Sequence, residues 1–416
     1  MGIGIDWENA YRARDAMDAA GFALKDFNTI GRWEILSEWK ERTMRVVKGL
    51  NAAKLLQKIL TEDFIMSYAD GWAAINLEKP ARVPRTEYSI AEYHWPLIRK
   101  VTGIEVYADS PPELRRAATR AMRAAWTYDF AFNTPVGGNV LSKMHTSMGH
   151  AVYAEDGGDY RYDMNCPFSD PEEVIAFDPW AVYGKVEAAR EWLEASYADA
   201  CAYLPEEVNM TGTYVTVISG MIEIFGWEML LLSCGTDPKG FGEMVNRYAN
   251  WFQQYFDAIA ESNIPLVMVH DDMVWTGGAF AHPAWYRKYV FPNYKKYIRP
   301  LLDAGKKVIY ISDGNYTEFI DDIANCGFNG FVLEPMTDMK YIAEKYGKTH
   351  CFIGNADTRI LLSGSKDDIY AEVKRCMDIG KDCPGFFMAV GNHIPANTPI
   401  ESCLIYEEAY RKYCMR

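Results

Sequence analysis

The chain has 416 residues, of which 49% are hydrophobic, and its formal net charge at pH 7 is −14. This acidic balance argues against nucleic-acid binding, because contact with phosphates requires clustered Lys and Arg. The 27 Tyr and 12 Trp suit an enzyme with a roomy, partly apolar pocket. The nine cysteines include no CxxC pair and the N-terminus has no apolar signal segment, so we expect a cytoplasmic protein with reduced thiols.

Residues 1–75 are predicted to be helical, because apolar residues recur at helical spacing between positions 33 and 60. We expect this N-terminal helical extension to pack on the domain that follows it or to lie at a subunit contact of a homodimer. Residues 150–182 are rich in Asp, Gly, Pro and Tyr, which predicts a long excursion from the domain core. The apolar stretch 215–232 contains two glutamates and does not indicate a membrane span.

From about residue 205 onward, short apolar or β-branched runs alternate with helical stretches. The predicted strands are 208–217, 264–269, 307–311, 330–333, 351–354 and 386–390. The predicted helices between them include 242–262, 283–304, 338–346 and 366–379. This alternation is typical of a parallel sheet with crossover helices, and six strands in one half of the chain favour closure into a barrel. No GxGxxG or P-loop motif follows any of these strands.

Three residues with metal-binding side chains directly follow predicted strands, namely Asp313, Glu334 and His393. In a (β/α) barrel such positions face the catalytic mouth. Two carboxylates and one imidazole form a three-ligand site with an open position, which is the arrangement of catalytic zinc. Oxygen and nitrogen ligands favour an oxygen-bearing substrate over a thiol. The alternatives are a helix cap for Asp313, a buried ion pair for Glu334 and a loop hydrogen bond for His393.

His270, Asp271 and Asp272 lie together at the end of a strongly apolar predicted strand. Adjacent carboxylates shift each other's pKa, which is useful for general acid catalysis. Because side chains alternate along a strand, one of the two aspartates should face the lumen and the other the helices. We expect Asp271 or His270 to contact substrate, with helix capping as the alternative.

Aromatic residues cluster earlier in the chain, at Trp72, Tyr88, Tyr93, His94 and Trp95. Of these, Tyr93, His94 and Trp95 are candidates for lining a substrate pocket that accepts a phenyl ring. The alternative is that they attach the N-terminal helices to the barrel. A further candidate for substrate binding, Asn315, ends the segment ISDGN that also carries Asp313.

Five segments of the C-terminal half resemble blocks of the uroporphyrinogen decarboxylase superfamily, and they occur in the expected order. They are HDDMVWTGGAFAHPAWYRKYVFPNYKKYI (270–298), ISDGN (311–315), GFVLEP (330–335), GNADTRILLSG (354–364) and GNHIPANTPIES (391–402). The resemblance covers residues 205–416 well and residues 80–150 weakly. It implies a TIM-type (β/α)8 barrel over residues 76–416, preceded by the helical extension.

The decarboxylases of this superfamily grip the carboxylates of a tetrapyrrole with an arginine-rich N-terminal segment, which is not found here. The chain is therefore more similar to the methyltransferase branch, whose members move a methyl group to or from a corrinoid on a separate protein. That branch holds zinc with a His-x-Cys pair, a Glu and a late Cys. The matching positions here are Ile311 with Asp313, then Glu334, then His393, so the ligand types differ.

The resemblance implies transfer of a methyl group from a methyl ether, most simply a methoxylated aromatic, to the cob(I)alamin of a separate corrinoid protein. Zinc is expected to activate the ether oxygen. The corrinoid is expected on a partner, because the chain contains no DxHxxG motif. The rival hypotheses are a corrinoid-to-thiol methyltransferase, a decarboxylase, and a catalytically silent barrel that serves as a binding subunit.

Overall fold

The structure, a computed structural model, describes residues 67–88, 94–142, 144–146 and 165–416. Its strands are β1 (Phe130–Ala131), β2 (Val208–Asn209), β3 (Thr211–Thr213), β4 (Leu266–His270), β5 (Val274–Trp275), β6 (Gly278–Ala279), β7 (Lys307–Ser312), β8 (Gly330–Leu333), β9 (Cys351–Ile353) and β10 (Phe386–Phe387). The first eight helices are α1 (Tyr68–Ile75), α2 (Trp95–Thr102), α3 (Pro112–Ala125), α4 (Pro171–Ala176), α5 (Pro179–Tyr183), α6 (Ala189–Tyr203), α7 (Ile218–Thr236) and α8 (Pro238–Glu261). They are followed by α9 (Pro283–Tyr289), α10 (Phe291–Asp303), α11 (Ile320–Cys326), α12 (Met339–Tyr346), α13 (Thr358–Ser363), α14 (Lys366–Gly380) and α15 (Ile400–Tyr413).

The strands close into a parallel barrel. One sheet runs in the order β10-β9-β8-β7-β4-β3, and β1 pairs with β2 in parallel. The extended segment 82–86 completes the ring between β10 and β1. On one side Met388 N donates to Pro84 O at 2.8 Å, and on the other Asp129 N donates to Arg85 O at 2.9 Å. The (β/α)8 barrel predicted from the sequence is therefore confirmed.

Most of the predicted elements reappear with shifted ends. The predicted helix 283–304 is divided into α9 and α10, which meet at Val290 and Phe291 just before Pro292. The part of the predicted excursion that the structure describes carries α4 and the greater part of α5. Residues 1–66 of the predicted extension and residues 150–164 of the excursion lie outside the described residues.

Two apolar clusters fill the fold, one inside the barrel and one between the strands and the helices. Along β4, Leu266 and Met268 belong to the inner cluster, whereas Val267 and Val269 belong to the outer one. This division follows from the alternation of side chains along a strand. The interior of the barrel is thus a packed core and not a pore.

Helix α1 closes the amino-terminal end of the barrel. Its residues Ala74 and Ile75 pack in the inner cluster with residues near the starts of the strands, such as Phe130 and Val208. The approach is close, because a Cβ on Gly71 would lie 2.4 Å from Asp129 O. The end of the predicted N-terminal extension is therefore an integral part of the barrel.

Buried ion pairs stabilise the seam of the barrel, which is the place where segment 82–86 joins β10 and β1. Arg82 donates to both carboxylate oxygens of Asp129 at 2.5 and 2.7 Å, and the side chains are 6% and 0% exposed. Arg85 is fully buried, pairs with Glu407 of α15 and lies over the ring of Tyr410 at 4.4 Å. Removing one partner of such a pair leaves an uncompensated buried charge.

One described helix, α7, is long and apolar enough to cross a membrane by length and composition alone. Two observations assign it to the protein interior. The fold buries 67% of its apolar window. Its Glu223 is only 5% exposed and lies among the buried residues of this helix.

The seam yields a prediction about stability. Asp129→Asn keeps the side-chain shape but removes the charge that faces Arg82, so the free energy of unfolding should fall by about 3–5 kcal/mol. Denaturant unfolding followed by circular dichroism measures this change. Asp382→Asn is the matched control, because Asp382 is 98% exposed in its pair with Lys79, and its midpoint should not move. Equal midpoints for the two variants would contradict the role assigned to the seam.

Candidate functional site at the barrel mouth

A cavity of about 650 Å³ lies at the carboxyl ends of the barrel strands. It is covered on one side by the β5–β6 hairpin, whose turn is Thr276–Gly277. The walls combine aromatic, aliphatic and acidic side chains. The lining residues are Tyr88, Phe132, Tyr214, Ile222, Trp227, His270, Asp272, Val274, Trp275, Thr276, Gly277, Ile311, Asp313, Gly314, Val332, Glu334, Ile353, Ala389, Val390, Gly391, Asn392 and His393.

His270, Asp272 and Asp313 form a compact group in the floor of this cavity. Their potential ligand atoms all lie within 4.8 Å of one another. His270 Nε2 lies 2.9 Å from Asp272 Oδ1, and the same oxygen accepts a hydrogen bond from Asp313 N at 2.9 Å. The group joins the end of β4 to the end of β7. Two carboxylates and one imidazole at this separation could hold a divalent metal ion.

Glu334 links two of the loops that surround the cavity. Its Oε2 accepts from Gly314 N and its Oε1 from Asn392 Nδ2, both at 2.6 Å. The Asn392 side chain also hydrogen-bonds Asp313, and its Oδ1 accepts from His393 N at 2.6 Å. Glu334 therefore connects the β7 loop that carries Asp313 with the loop after β10 that carries His393.

The electrostatics of the floor are dominated by burial and by like charge. Burial, then Asp272 and Glu334, raise the pKa of Asp313 well above its ordinary value. Burial alone would lower the pKa of His270, but Asp272 and Asp313 outweigh it and raise that pKa. Burial, together with nearby His270, lowers the pKa of His393 to about 4, so this imidazole is neutral at pH 7. Crowded carboxylates of this kind are stabilised when a cation lies between them.

The structure brings together four of the candidate catalytic and metal-binding residues of the sequence analysis. His270, Asp313, Glu334 and His393 all line the mouth cavity. Asp313 belongs to the compact group with His270, whereas Glu334 bridges the loops beside it. The His393 ring packs edge-on against Tyr88 with centroids 4.9 Å apart.

Asp271 points away from the cavity and into the helical shell. It is fully buried, and its Oδ1 accepts from Ser219 N at 2.7 Å and from Val217 N at 3.3 Å, at the start of α7. Its Oδ2 accepts from the Tyr294 hydroxyl. This geometry is that of helix capping, the alternative considered for Asp271, and its neighbour Asp272 faces the cavity instead.

The remaining candidates lie outside the cavity lining or outside the described residues. His94 is buried, precedes α2, and has its Nε2 3.1 Å from Ile394 O. Trp95 packs against the outer core. Asn315 accepts from Thr317 N at 3.1 Å and so orders its own turn. Tyr93 is not among the described residues.

An aromatic wall that the sequence analysis did not assemble faces the acidic floor. The rings of Trp227 and Trp275 lie 5.5 Å apart, and Trp275 is 45% exposed at the rim. Tyr214 packs edge-on against His270 at 4.7 Å, and Phe132 lies beside Tyr88 at 4.9 Å. These residues come from five separate segments of the chain, so sequence spacing carries little signal for them. Tyr88 alone was part of the predicted aromatic cluster.

The fold and this mouth cavity define a (β/α)8-barrel protein whose site lies where such barrels place their chemistry. The model of the family described as Uroporphyrinogen decarboxylase (URO-D) matches residues 185–413, more than half of the chain. The chain therefore belongs to the uroporphyrinogen decarboxylase family, which confirms the resemblance inferred from the sequence.

Individual relatives are distant. The chain is 27% identical over 165 residues to a uroporphyrinogen decarboxylase of Syntrophotalea carbinolica, covering 40% of this chain and 46% of the relative. It is 23% identical over 200 residues to that of Geobacter sulfurreducens, covering 47% and 57%. The chain thus spans about half the length of the curated relatives it matches. Among solved structures, a methyltransferase from Methanosarcina mazei has the same fold, with a TM-score of 0.55, 17% identity, and coverage of 84% of this chain and 99% of that one.

The close packing of the mouth loops yields a second prediction. A Cβ on Gly391 would lie 2.3 Å from Pro335 Cδ and 2.9 Å from Glu334 Cα. Gly391→Ala should therefore lower the free energy of unfolding by about 1–3 kcal/mol, as overpacking does. Gly235→Ala is the control, because a Cβ there meets nothing within 4 Å and Ala favours the helix. A denaturation midpoint of Gly391→Ala equal to that of the wild type would show that the loop moves away from Glu334 at no cost.

Proposed function

We propose that the protein transfers a methyl group from a methoxylated aromatic compound to the cob(I)alamin of a separate corrinoid protein. The observation that carries the proposal is the contrast within one cavity, between an aromatic wall and a floor of two aspartates and a histidine. The wall suits a phenyl ring and the floor suits an ether oxygen. Family membership and the fold shared with a methyltransferase support the choice.

The proposed reaction requires a site that stabilises the negative charge that develops on the departing oxygen. The bond between the methyl carbon and the ether oxygen breaks, a bond between the methyl carbon and cobalt forms, and a phenolate leaves. Phenolate is a good leaving group, since a phenol loses its proton near pH ~10. Residues that stabilise negative charge on the oxygen lower the barrier to this step.

A metal ion fits the floor of the cavity, because hard oxygen and nitrogen donors converge there within 4.8 Å. His270, Asp272 and Asp313 are the residues that would hold zinc in our proposal. Asp313 is common to this set and to the set expected from the sequence, Asp313, Glu334 and His393. Glu334 is assigned to the outer shell because each of its oxygens already accepts a hydrogen bond from a loop. When bound, zinc would supply Lewis acidity at the ether oxygen.

The chain's own side chains bind and orient the substrate. Trp227, Trp275 and Tyr214 hold the ring by stacking or edge-on contact and exclude water from the reacting oxygen. Neutral His393 and the Asn392 amide also line the cavity and offer uncharged polar contacts. The methyl carbon then faces the open side of the mouth, where the partner's corrinoid must approach.

Two rival functions fit the cavity less well. None of the described residues that line it is Lys or Arg, whereas a tetrapyrrole decarboxylase must hold several substrate carboxylates. No cysteine occurs among the described lining residues either, and thiolate ligands suit a thiol-methylating site. The third rival, a catalytically silent binding subunit, would differ from the proposed enzyme by its lack of turnover.

Methyl transfer should depend on a corrinoid partner. The purified protein is expected to be colourless and inactive alone. Addition of a reduced corrinoid protein and a methoxylated aromatic should convert the cob(I)alamin spectrum to that of methylcobalamin. A parallel assay with uroporphyrinogen, following carbon dioxide release, tests the decarboxylase alternative. Turnover of the ether by the isolated chain, or transfer only to thiols, would reverse the proposal.

Matched amide variants should identify the zinc ligands. Asp272→Asn and Asp313→Asn should each leave the protein with less than about a tenth of the wild-type zinc, since one of three ligands is lost. Glu334→Gln should weaken zinc affinity by only about 10–100-fold, as outer-shell changes do, and should remain loadable. Elemental analysis measures zinc, and circular dichroism checks folding.

The remaining outcomes of that experiment are equally informative. Zinc loss in Glu334→Gln and His393→Gln, with retention in Asp272→Asn, would restore the ligand set expected from the sequence. Wild-type protein that is active while free of metal would remove zinc from the proposal altogether.

A further inference from the structure

Tyr88 lines the mouth cavity and directly follows the seam of the barrel. The residue before it, Glu87, is fully buried, and its carboxylate accepts a hydrogen bond from Val390 N at 3.0 Å. Thr86 Oγ1 donates to Phe130 O at 2.6 Å. The backbone that leads to Tyr88 is therefore fixed to both neighbours of the seam. A side chain carried by such a rigid element is well placed to act as a preorganised functional group.

The ring of Tyr88 packs against other rings of the cavity. It lies edge-on to His393 with centroids 4.9 Å apart and edge-on to His270 at 6.2 Å, and it lies beside Phe132 at 4.9 Å. His270 belongs to the group of possible metal ligands in the floor. These contacts place the ring of Tyr88 beside the floor of the cavity.

The hydroxyl of Tyr88 lies near the two aspartates of the floor. Burial raises its pKa above the ordinary value, and Asp313 and Asp272 raise this pKa further, whereas a hydrogen bond with Thr134 lowers it. A hydrogen bond that lowers the pKa of a phenol is donated to the phenol oxygen, because it stabilises the phenolate. Thr134 is thus the donor in this pair. The Tyr88 hydroxyl can in turn donate its own proton in a hydrogen bond to another oxygen.

The second tyrosine among the described lining residues, Tyr214, is placed differently. Its ring packs edge-on against His270 at 4.7 Å. Burial raises the pKa of Tyr214 well above its ordinary value, and Asp272 and then Glu223 raise this pKa further. Glu223 belongs to α7 and is not one of the described lining residues. The Tyr214 hydroxyl is therefore shared between the floor and the helical shell, whereas the carboxylates that act on Tyr88 are those of the floor.

We infer that the Tyr88 hydroxyl is a catalytic group that donates a hydrogen bond to the oxygen that leaves the methyl carbon. The inference rests on the proposed function, because it names a further residue for the same reaction. As the carbon–oxygen bond breaks, its electron pair goes to the oxygen, and the pair for the new cobalt–carbon bond comes from the partner's cob(I)alamin. The charge that develops on the oxygen strengthens the hydrogen bond from Tyr88, which keeps its proton. The hydroxyl thus binds the transition state more tightly than the ether.

A matched pair of ligands tests this role without turnover. 4-Nitroanisole is a methyl ether, and 4-nitrophenolate is the corresponding leaving group with the same ring. Tyr88→Phe keeps the ring of Tyr88 and removes the donor. The zinc-loaded variant should bind 4-nitrophenolate about 10–100-fold more weakly than the zinc-loaded wild type, as loss of a hydrogen bond to an anion does. Its affinity for 4-nitroanisole should stay nearly unchanged. Calorimetry at mildly alkaline pH, supported by the absorption of the bound phenolate, measures both affinities.

Tyr214→Phe is the matched control, because it removes the hydroxyl of the other lining tyrosine. Its affinity for 4-nitrophenolate should stay close to that of the wild type. Elemental analysis and circular dichroism should give the same zinc content and the same fold for both variants.

The rate of methyl transfer to a reduced corrinoid protein gives a second readout. Tyr88→Phe should lower kcat for 4-methylanisole by about 100-fold, the usual effect of losing one donor to a developing oxyanion. The loss should be much smaller for 4-nitroanisole, because its nitro group already spreads the charge of the leaving oxygen. Equal slowing of both ethers would mean that the substitution disturbs the site as a whole, and it would overturn the catalytic role.

The outcomes separate this inference from the proposed function. Equal affinity of the wild type and Tyr88→Phe for 4-nitrophenolate, or an equal loss in Tyr214→Phe, overturns the assignment of Tyr88 and leaves methyl transfer standing. A loss confined to Tyr88→Phe, in a protein whose wild type transfers no methyl group, supports the hydrogen bond and removes the proposed reaction. Failure of the wild type to bind either ligand overturns both.

Discussion

Strict alternation of side chains along each barrel strand decides which residues enter the mouth. In β4, Leu266 and Met268 fill the lumen, and the same period brings His270 and Asp272 to the cavity. Asp271 is directed into the helical shell, where it caps α7. Pairing of β4 with β7 sets His270 opposite Ile311 and brings Asp313 level with Asp272. A shift of one residue in either strand would take this group apart.

The sequence predicts the barrel well, because strand and helix alternate regularly after residue 205 and family blocks follow the strand ends. It predicts the seam poorly. Segment 82–86 and β1 pair over only a few residues and depend on contacts such as Arg82 with Asp129 and Arg85 with Glu407. These contacts join distant parts of the chain, so no local pattern of apolar residues reports them.

The candidate site divides in a similar way. The positions of Asp313, Glu334 and His393 at the cavity could be predicted, since each follows a strand. The partnership of Asp272 with His270 follows from alternation once the strand end is known, but β4 ends at His270 and the sequence does not show whether the period continues beyond it. The hydrogen bonds between Glu334 and two loops depend on the folded arrangement of distant segments, so residue spacing does not predict them.

The carboxylates at the floor of the cavity are costly in free energy for two physical reasons. Burial makes an isolated carboxylate costly, and two adjacent ones raise that cost further, as the raised pKa of Asp313 reflects. A divalent cation between them would relieve both effects, as the proposed zinc site requires. Glu334, however, is satisfied by neutral N–H donors and contributes a charge that the cation need not balance. The carboxylates that could hold a metal ion at the floor, together with Glu334, therefore also set the electrostatic potential that any ligand meets as it enters the cavity.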